Sequence, residues 1–206
     1  MTSRTPRQLT TEQIADKSLV IRKSNELIEA RYKLSLEEQR LVLLLASVIK
    51  PEDDDFQDYE IQVGCIAEQF GLELTGSLYS YVEQAAETLL GKVITLKNNK
   101  SVAKTVWLSY VEYVKGSGKI KIRFDKSLKP YLLQLKSHFT QYDLNYVSNF
   151  KSQYSIRIYE LLKMEAYKAK AGRFERSFTL KELRGLLALV DEYPLFGDFK
   201  KRVIVP

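Results

Sequence analysis

The chain has 206 residues, with 32 lysines and arginines against 26 aspartates and glutamates, and a formal charge of +6 at pH 7. At roughly 100–200 residues per domain this is one domain or two small ones. Hydrophobic residues at 45% and charged residues at 28% exclude a wholly disordered chain, a collagen-like repeat and a disulfide scaffold. The single cysteine, Cys65, cannot form an internal disulfide and points to a reducing compartment.

Residues 1–18 read as a flexible polar arm without the apolar core of a signal peptide. Arg4 and Arg7 are its DNA-facing candidates. Ser35 and Glu38 form a capping-box pattern ahead of a helix over Leu36–Val48. Its run Leu41–Ile49 is the longest apolar stretch, far short of the ~20 residues that span a bilayer, so no membrane segment is expected. The same run is free of charge, Pro and Gly. It is an aggregation hazard if the helix opens and a buried core helix otherwise.

Glu52, Asp53, Asp54, Asp55, Asp58 and Glu60 form an acidic loop without EF-hand spacing, read as solvated. A short alternating run, Tyr59, Ile61 and Val63, follows. A helix over Ile66–Phe70 then ends at Gly71, and a turn leads into a helix over Leu78–Leu90. Val93–Leu96 is a short strand. Thr105–Lys115 and Lys119–Phe124 flank Gly116-Ser117-Gly118 as a hairpin, and this glycine turn is no phosphate cradle. Ile120, Ile122 and Phe124 alternate with Lys119, Lys121 and Arg123. Ser127–Leu135 reads as a short helix. A helix-turn-helix followed by a hairpin is a winged helix, whose second helix can enter a major groove.

The order begins again with an amphipathic helix over Ser152–Lys168. Arg173–Phe178 alternates as a strand does, and Thr179 with Glu182 caps a helix over Leu180–Leu189. A last helical pattern starts at Leu195 or Phe196. It places Phe199 and Val203 on one face and Lys200, Lys201 and Arg202 away from it. No strand pair follows. The fold class expected is therefore α+β, tandem winged-helix domains, the first complete and the second lacking its C-terminal wing. The expected division is 1–18, 19–137 and 138–206.

Charge is distributed unevenly. Residues 1–91 carry −7, residues 92–137 carry +9 and residues 138–206 carry +4. The candidates for phosphate contact are Lys92, Lys100, Lys104, Lys115, Lys119, Lys121 and Arg123. The bland alternative is that lysines on an exposed strand deter edge pairing. In the last helix Arg202 suits a bidentate guanine contact, while Lys200 and Lys201 suit phosphate or base edges.

Three separated motifs resemble one known family. Lys23–Ala30 with Leu34–Leu41 resembles the opening of the plasmid replication initiator (Rep) proteins that bind iterons. Tyr154–Leu162 resembles that family's second-domain signature, and Asp198–Val203 resembles its second recognition helix. The resemblance implies binding to double-stranded DNA at repeated origin sites, duplex opening and recruitment of host replication proteins in a bacterial cytoplasm. It also implies repression of the protein's own gene by dimers. In such proteins the second domain reads bases, and the first supplies backbone contacts and the dimer surface. By motif position Asp198, Lys200, Lys201 and Arg202 are the base-reading candidates. Family members continue the recognition helix and add a wing, so this chain, ending at Pro206, reads as C-terminally truncated.

The leading expectation is a sequence-specific DNA-binding initiator of plasmid replication without enzymatic activity, cofactor or metal. The alternative is a truncated module that dimerises through its first domain and binds DNA weakly. An enzymatic nicking protein would need a histidine cluster beside a catalytic tyrosine, and His138 is the only histidine.

Overall fold

The protein, a computed structural model, is described over residues 6–9, 19–97, 101–114 and 116–205. In chain order its elements are β1 (Arg7–Leu9), β2 (Val20–Ser24), α1 (Asn25–Glu29), α2 (Leu36–Ser47), β3 (Tyr59–Gln62), α3 (Val63–Phe70), α4 (Gly76–Gly91), β4 (Val93–Lys97) and β5 (Val102–Val106). There follow β6 (Leu108–Val114), β7 (Lys119–Phe124), α5 (Lys129–Leu132), β8 (Phe139–Asp143), α6 (Asn145–Ser148), α7 (Gln153–Lys163), α8 (Leu180–Leu186) and α9 (Phe196–Phe199). A π-helical turn over Lys200–Ile204 continues α9.

Capping sets where the helices start. Ser35 Oγ accepts from the Glu38 backbone N–H at 3.2 Å, and a Glu38 carboxylate oxygen accepts from the Ser35 N–H at 2.7 Å. Thr179 and Glu182 close the same box ahead of α8. Gly71 ends α3 at φ 59°, a left-handed conformation that costs glycine nothing sterically. α2 is buried all round from Glu38 to Ser47, not on one face only. That is why the chain can carry so apolar a run there: the helix is the centre of the first core.

α2, β3, α3, α4 and the β6–β7 hairpin make the first winged helix. Its sheet runs β1–β3–β7–β6, with β3 antiparallel to β7 and β7 antiparallel to β6. Ile120, Ile122 and Phe124 of β7 are buried, while Lys119, Lys121 and Arg123 are half-buried on the other side, as the alternation implies. Gly116 and Gly118 turn the hairpin at φ 73° and 64°.

The strand expected over Thr105–Lys115 is instead two strands. Trp107 is fully buried between β5 and β6, packed edge-on against Tyr32 at 5.0 Å. Turning that side chain inward breaks the ladder, so β5 pairs with β4 and β6 with β7. Part of the expected flexible arm is likewise ordered. β1 lies parallel to β3, and Arg7 donates to both oxygens of Asp53 at 2.6 and 2.8 Å. Arg4 lies outside the described residues.

The division drawn at Ser137/His138 does not coincide with a break in packing. β8 pairs antiparallel with β2, and Tyr142, Leu144, Val147 and Ile156 belong to the first core. A second core gathers Ile28, Tyr154, Leu161, Leu187, Leu189, Phe199 and Val203. α7 is therefore a wall shared by both cores. α1 is shared too, since Leu27 enters the first and the adjacent Ile28 the second. Residues 173–178 form no strand beyond a single bridge between Lys170 and Arg173. No described strand lies alongside them to complete a ladder, and Arg176 turns away to reach Glu29 and the Leu161 carbonyl. α8 and α9 make the second helix pair, with no strand after it among the described residues. The result is a tandem winged-helix chain of mixed helix and sheet.

Candidate nucleic-acid interface

The second helix pair is assembled around one arginine. Arg184, in the last turn of α8, donates to the Glu192 carbonyl at 2.6 Å and to the Tyr193 carbonyl. Its guanidinium carbon sits 4.7 Å from the centre of the Phe199 ring. The loop it holds contains Ala188 and Tyr193 in the left-handed region, at φ 55° and 53°. Such backbone is rare for residues with a Cβ and persists where its surroundings enforce it. Nothing in the sequence reading singled out Arg184. The available signal was a cation at a helix C-terminus, followed by a short loop whose carbonyls need donors.

Phe199 and Val203 are each 1% exposed and anchor α9 and its π turn in the second core. Asp198, Lys200, Lys201 and Arg202 are all exposed. None of the four makes an ion pair among the described residues. The expected division of faces therefore holds, and three cations stand together on the outer side of the second helix. The π turn closes with Val205 N–H donating to the Lys200 carbonyl at 2.9 Å. This wider turn carries Lys201 and Arg202.

The corresponding helix of the first unit has the opposite character. α4 carries Glu83 and Glu87 and no basic residue, so its outer face repels phosphate. The wing candidates also differ from those on α9. Lys119 Nζ is 2.7 Å from Glu60, Lys121 is 3.3 Å from Glu112, and Lys92 is 3.0 Å from Glu38. Arg123 Nε lies 2.8 Å from Asp58 without hydrogen-bond alignment. Lys104 is exposed on β5 and unpaired among the described residues. Lys100 and Lys115 lie outside the described residues.

The −7 and +9 segments thus face each other. The acidic loop is a set of counter-charges rather than a purely solvated stretch: Asp53 holds Arg7, Asp55 holds Lys129, and Asp58 and Glu60 meet β7. The hydrogen bond from Lys129 holds the Asp55 carboxyl below its ordinary range. Tyr110 and Lys121 do the same for Glu112. Burial opposes ionisation of Asp53, yet Arg7 and the Lys50 backbone N–H outweigh it and lower that carboxyl too.

A buried polar cluster joins the two units. Glu160, fully buried on α7, accepts from Lys23 Nζ and from the Tyr142 hydroxyl, both at 2.6 Å. Burial would raise the Glu160 carboxyl, but Lys23 and Arg157 hold it below its usual range. Burial and that same carboxylate push the Tyr142 hydroxyl well above its own. Arg157 reaches the Ala30 carbonyl at 3.1 Å and the Leu186 carbonyl of α8 at 3.3 Å, with its guanidinium over the Tyr32 ring at 4.0 Å. No group of three or more metal-ligating side chains occurs among the described residues. No helix there is long and apolar enough to cross a membrane.

Known proteins are similar to this chain in sequence and in fold. The family model of the initiator replication protein, WH1, matches residues 20–163, and that of the initiator Rep protein, WH2, matches residues 179–206. A replication initiation protein of Escherichia coli is 28% identical over 193 residues, covering 91% of this chain. The chain spans 60% of the length of that relative. An uncharacterized 27.6 kDa protein of Escherichia coli is 25% identical over 165 residues, 73% of this chain and 69% of that one. The crystal structure of the Pi initiator protein in complex with iteron DNA has the same fold, with a TM-score of 0.72 at 20% identity. It covers 92% of this chain and 84% of its own. Matched over both helix pairs and most of its length, the chain belongs to the family of initiator replication proteins with tandem winged helices.

Proposed function

We propose that this chain is a non-enzymatic, sequence-specific DNA-binding initiator of plasmid replication, working at repeated origin sites in a bacterial cytoplasm. One observation carries the reading. Lys200, Lys201 and Arg202 stand free and exposed on the second helix of a helix-turn-helix whose inner face is locked by Phe199 and Val203. Arg202 reads guanine and the lysines meet phosphate or base edges. The first unit adds backbone contacts, with Lys104 the unpaired described cation among its phosphate candidates. Recruitment of host replication proteins and repression as a homodimer through the first unit complete this reading. A mobility shift on directly repeated origin DNA against a scrambled duplex tests it. Tight, salt-sensitive preference for the repeats is expected, and equal binding to both duplexes sinks it.

The second reading, a dimerising regulatory module with weak DNA binding, draws on the paired wing. Four of its candidate cations already hold carboxylates. Sedimentation beside the same mobility shift separates the two: a dimer without DNA affinity favours the module.

A further inference from the structure

Away from α9 and the wing, a cavity of about 380 Å³ opens where β2, the end of α2 and the segment after α5 meet. Three cations from three different elements line it: Arg22, Lys50 and Lys136. Its apolar lining includes Ile49, Leu135 and Phe139, and no carboxylate lines it among the described residues. None of the three cations makes an ion pair among the described residues. Arg22 Nε donates to the neutral amide of Gln141 at 3.0 Å. Asp53, three residues on from Lys50, is occupied by both terminal nitrogens of Arg7, and Lys50 Nζ makes no ion pair with it or with Glu52. Lys136 makes no ion pair among the described residues. Lys50 and Lys136 are exposed, whereas Ile49 is 9% exposed and Leu135 and Phe139 are half-buried.

The segment that supplies Leu135 and Lys136 is held in an unusual shape. Gln134 and His138 flank it at φ 48° and 53°, a region that residues with a Cβ rarely enter. The His138 carbonyl is fixed by the Asn25 backbone N–H at 2.8 Å. The backbone thus enters and leaves in left-handed conformations, presenting one apolar and one cationic side chain together.

We infer that this cavity is a docking site for an acidic protein segment bearing a large apolar side chain. The apolar lining takes the side chain, and the three cations take carboxylates on either side of it. Charge complementarity selects this partner over a basic or neutral one. The apolar lining selects a peptide over a phosphate backbone, which carries nothing to fill it. The volume matches sites of 300–1,000 Å³ that bury a small ligand, here one or two side chains. The site lies outside the residues assigned to DNA, so it stands whether or not the DNA reading does.

Fluorescence anisotropy on the full chain tests it, with a labelled short peptide in which aspartates flank a phenylalanine on both sides. Saturable binding that weakens with added salt is expected. Lys50→Glu with Lys136→Glu should weaken it about tenfold or more, and Phe→Ser in the peptide should do the same. Both protein positions are exposed, so the melting temperature should stay at the wild-type value. Alanine at the same two positions should give a smaller loss in the same direction. Absence of binding to the wild-type chain, or equal affinity of wild type and double variant, overturns the proposal. So does a double variant that loses affinity for duplex DNA while keeping the peptide, since the cavity would then serve phosphate.

Discussion

Arg184 covers the face of Phe199 while donating to two carbonyls of the loop between α8 and α9. The buried end of α9, the helix proposed to face DNA, is thereby tied to the loop and helix before it by one side chain. Arg184→Ala removes two charge-assisted hydrogen bonds and the ring contact together. A loss of about 1–3 kcal/mol is expected, read as a lower denaturant midpoint. DNA affinity should fall with it, and Arg184→Lys should restore little, because an ammonium cannot fork to two carbonyls and stack.

Arg202→Ala should cost about 1–3 kcal/mol on the preferred duplex and relax preference at one base pair. Lys200→Ala should instead weaken all duplexes alike. It should lower the slope of log affinity against log salt by about one if Lys200 meets phosphate. Competition binding across single-base variants of the site distinguishes the two behaviours.

Neutralising an acid should strengthen DNA binding. Glu60 and Asp58 hold Lys119 and Arg123 on β7, and half-buried surface pairs that solvent still reaches contribute little to stability. Glu60→Gln with Asp58→Asn should leave the melting temperature nearly unchanged. It should raise non-specific affinity for duplex DNA and steepen its salt dependence. No change in that slope would mean the wing stays away from phosphate.

The buried carboxylate of Glu160 offers a stability test. Glu160→Gln leaves Lys23 and Arg157 buried without their counter-charge, and breaking such a pair costs about 3–5 kcal/mol. Lys23→Met should be milder, because it removes the cation together with its desolvation cost.

Acid should release β1 first. Asp53 has a folded-state pKa below its unfolded value, so its contribution is fully present above the unfolded value of about 3.9. It is lost as pH falls through the lower folded value. Hydrogen exchange at the β1 amides should accelerate below about pH 4, before the amides of α2. Asp53→Asn should give that faster exchange already at neutral pH.

The legible parts of this chain were those with local causes. Both capping boxes, the Gly71 terminus, the alternation on β7 and the Phe199–Val203 face depend on residues a few positions apart, and each stands as the pattern implies. The parts that were not legible depend on partners distant in sequence. Arg7 meets Asp53, 46 residues on, and β2 finds β8 with register Ile21 to Tyr142. Nothing near Arg7 or Val20 announces either pairing. Trp107 illustrates a middle case. It sits in a strand-like run, and only its demand for the first core turns one strand into two. For the site, the helix face was readable because burial separates it from the cations within one turn. On the wing the pairing was not legible, because counting cations takes no account of the carboxylates that fold onto them.

Leu27 and Ile28 are neighbours in the chain and residents of different cores. The consequence concerns how such a protein can be cut and recombined. A fragment that begins at α7 carries the helices of the second unit but leaves a side-chain-sized hole where Ile28 belongs. A fragment that stops before α7 lacks one wall of the first. The two units therefore share side chains across their boundary, and grafting the second unit onto another first unit requires carrying the five residues of α1 along with it.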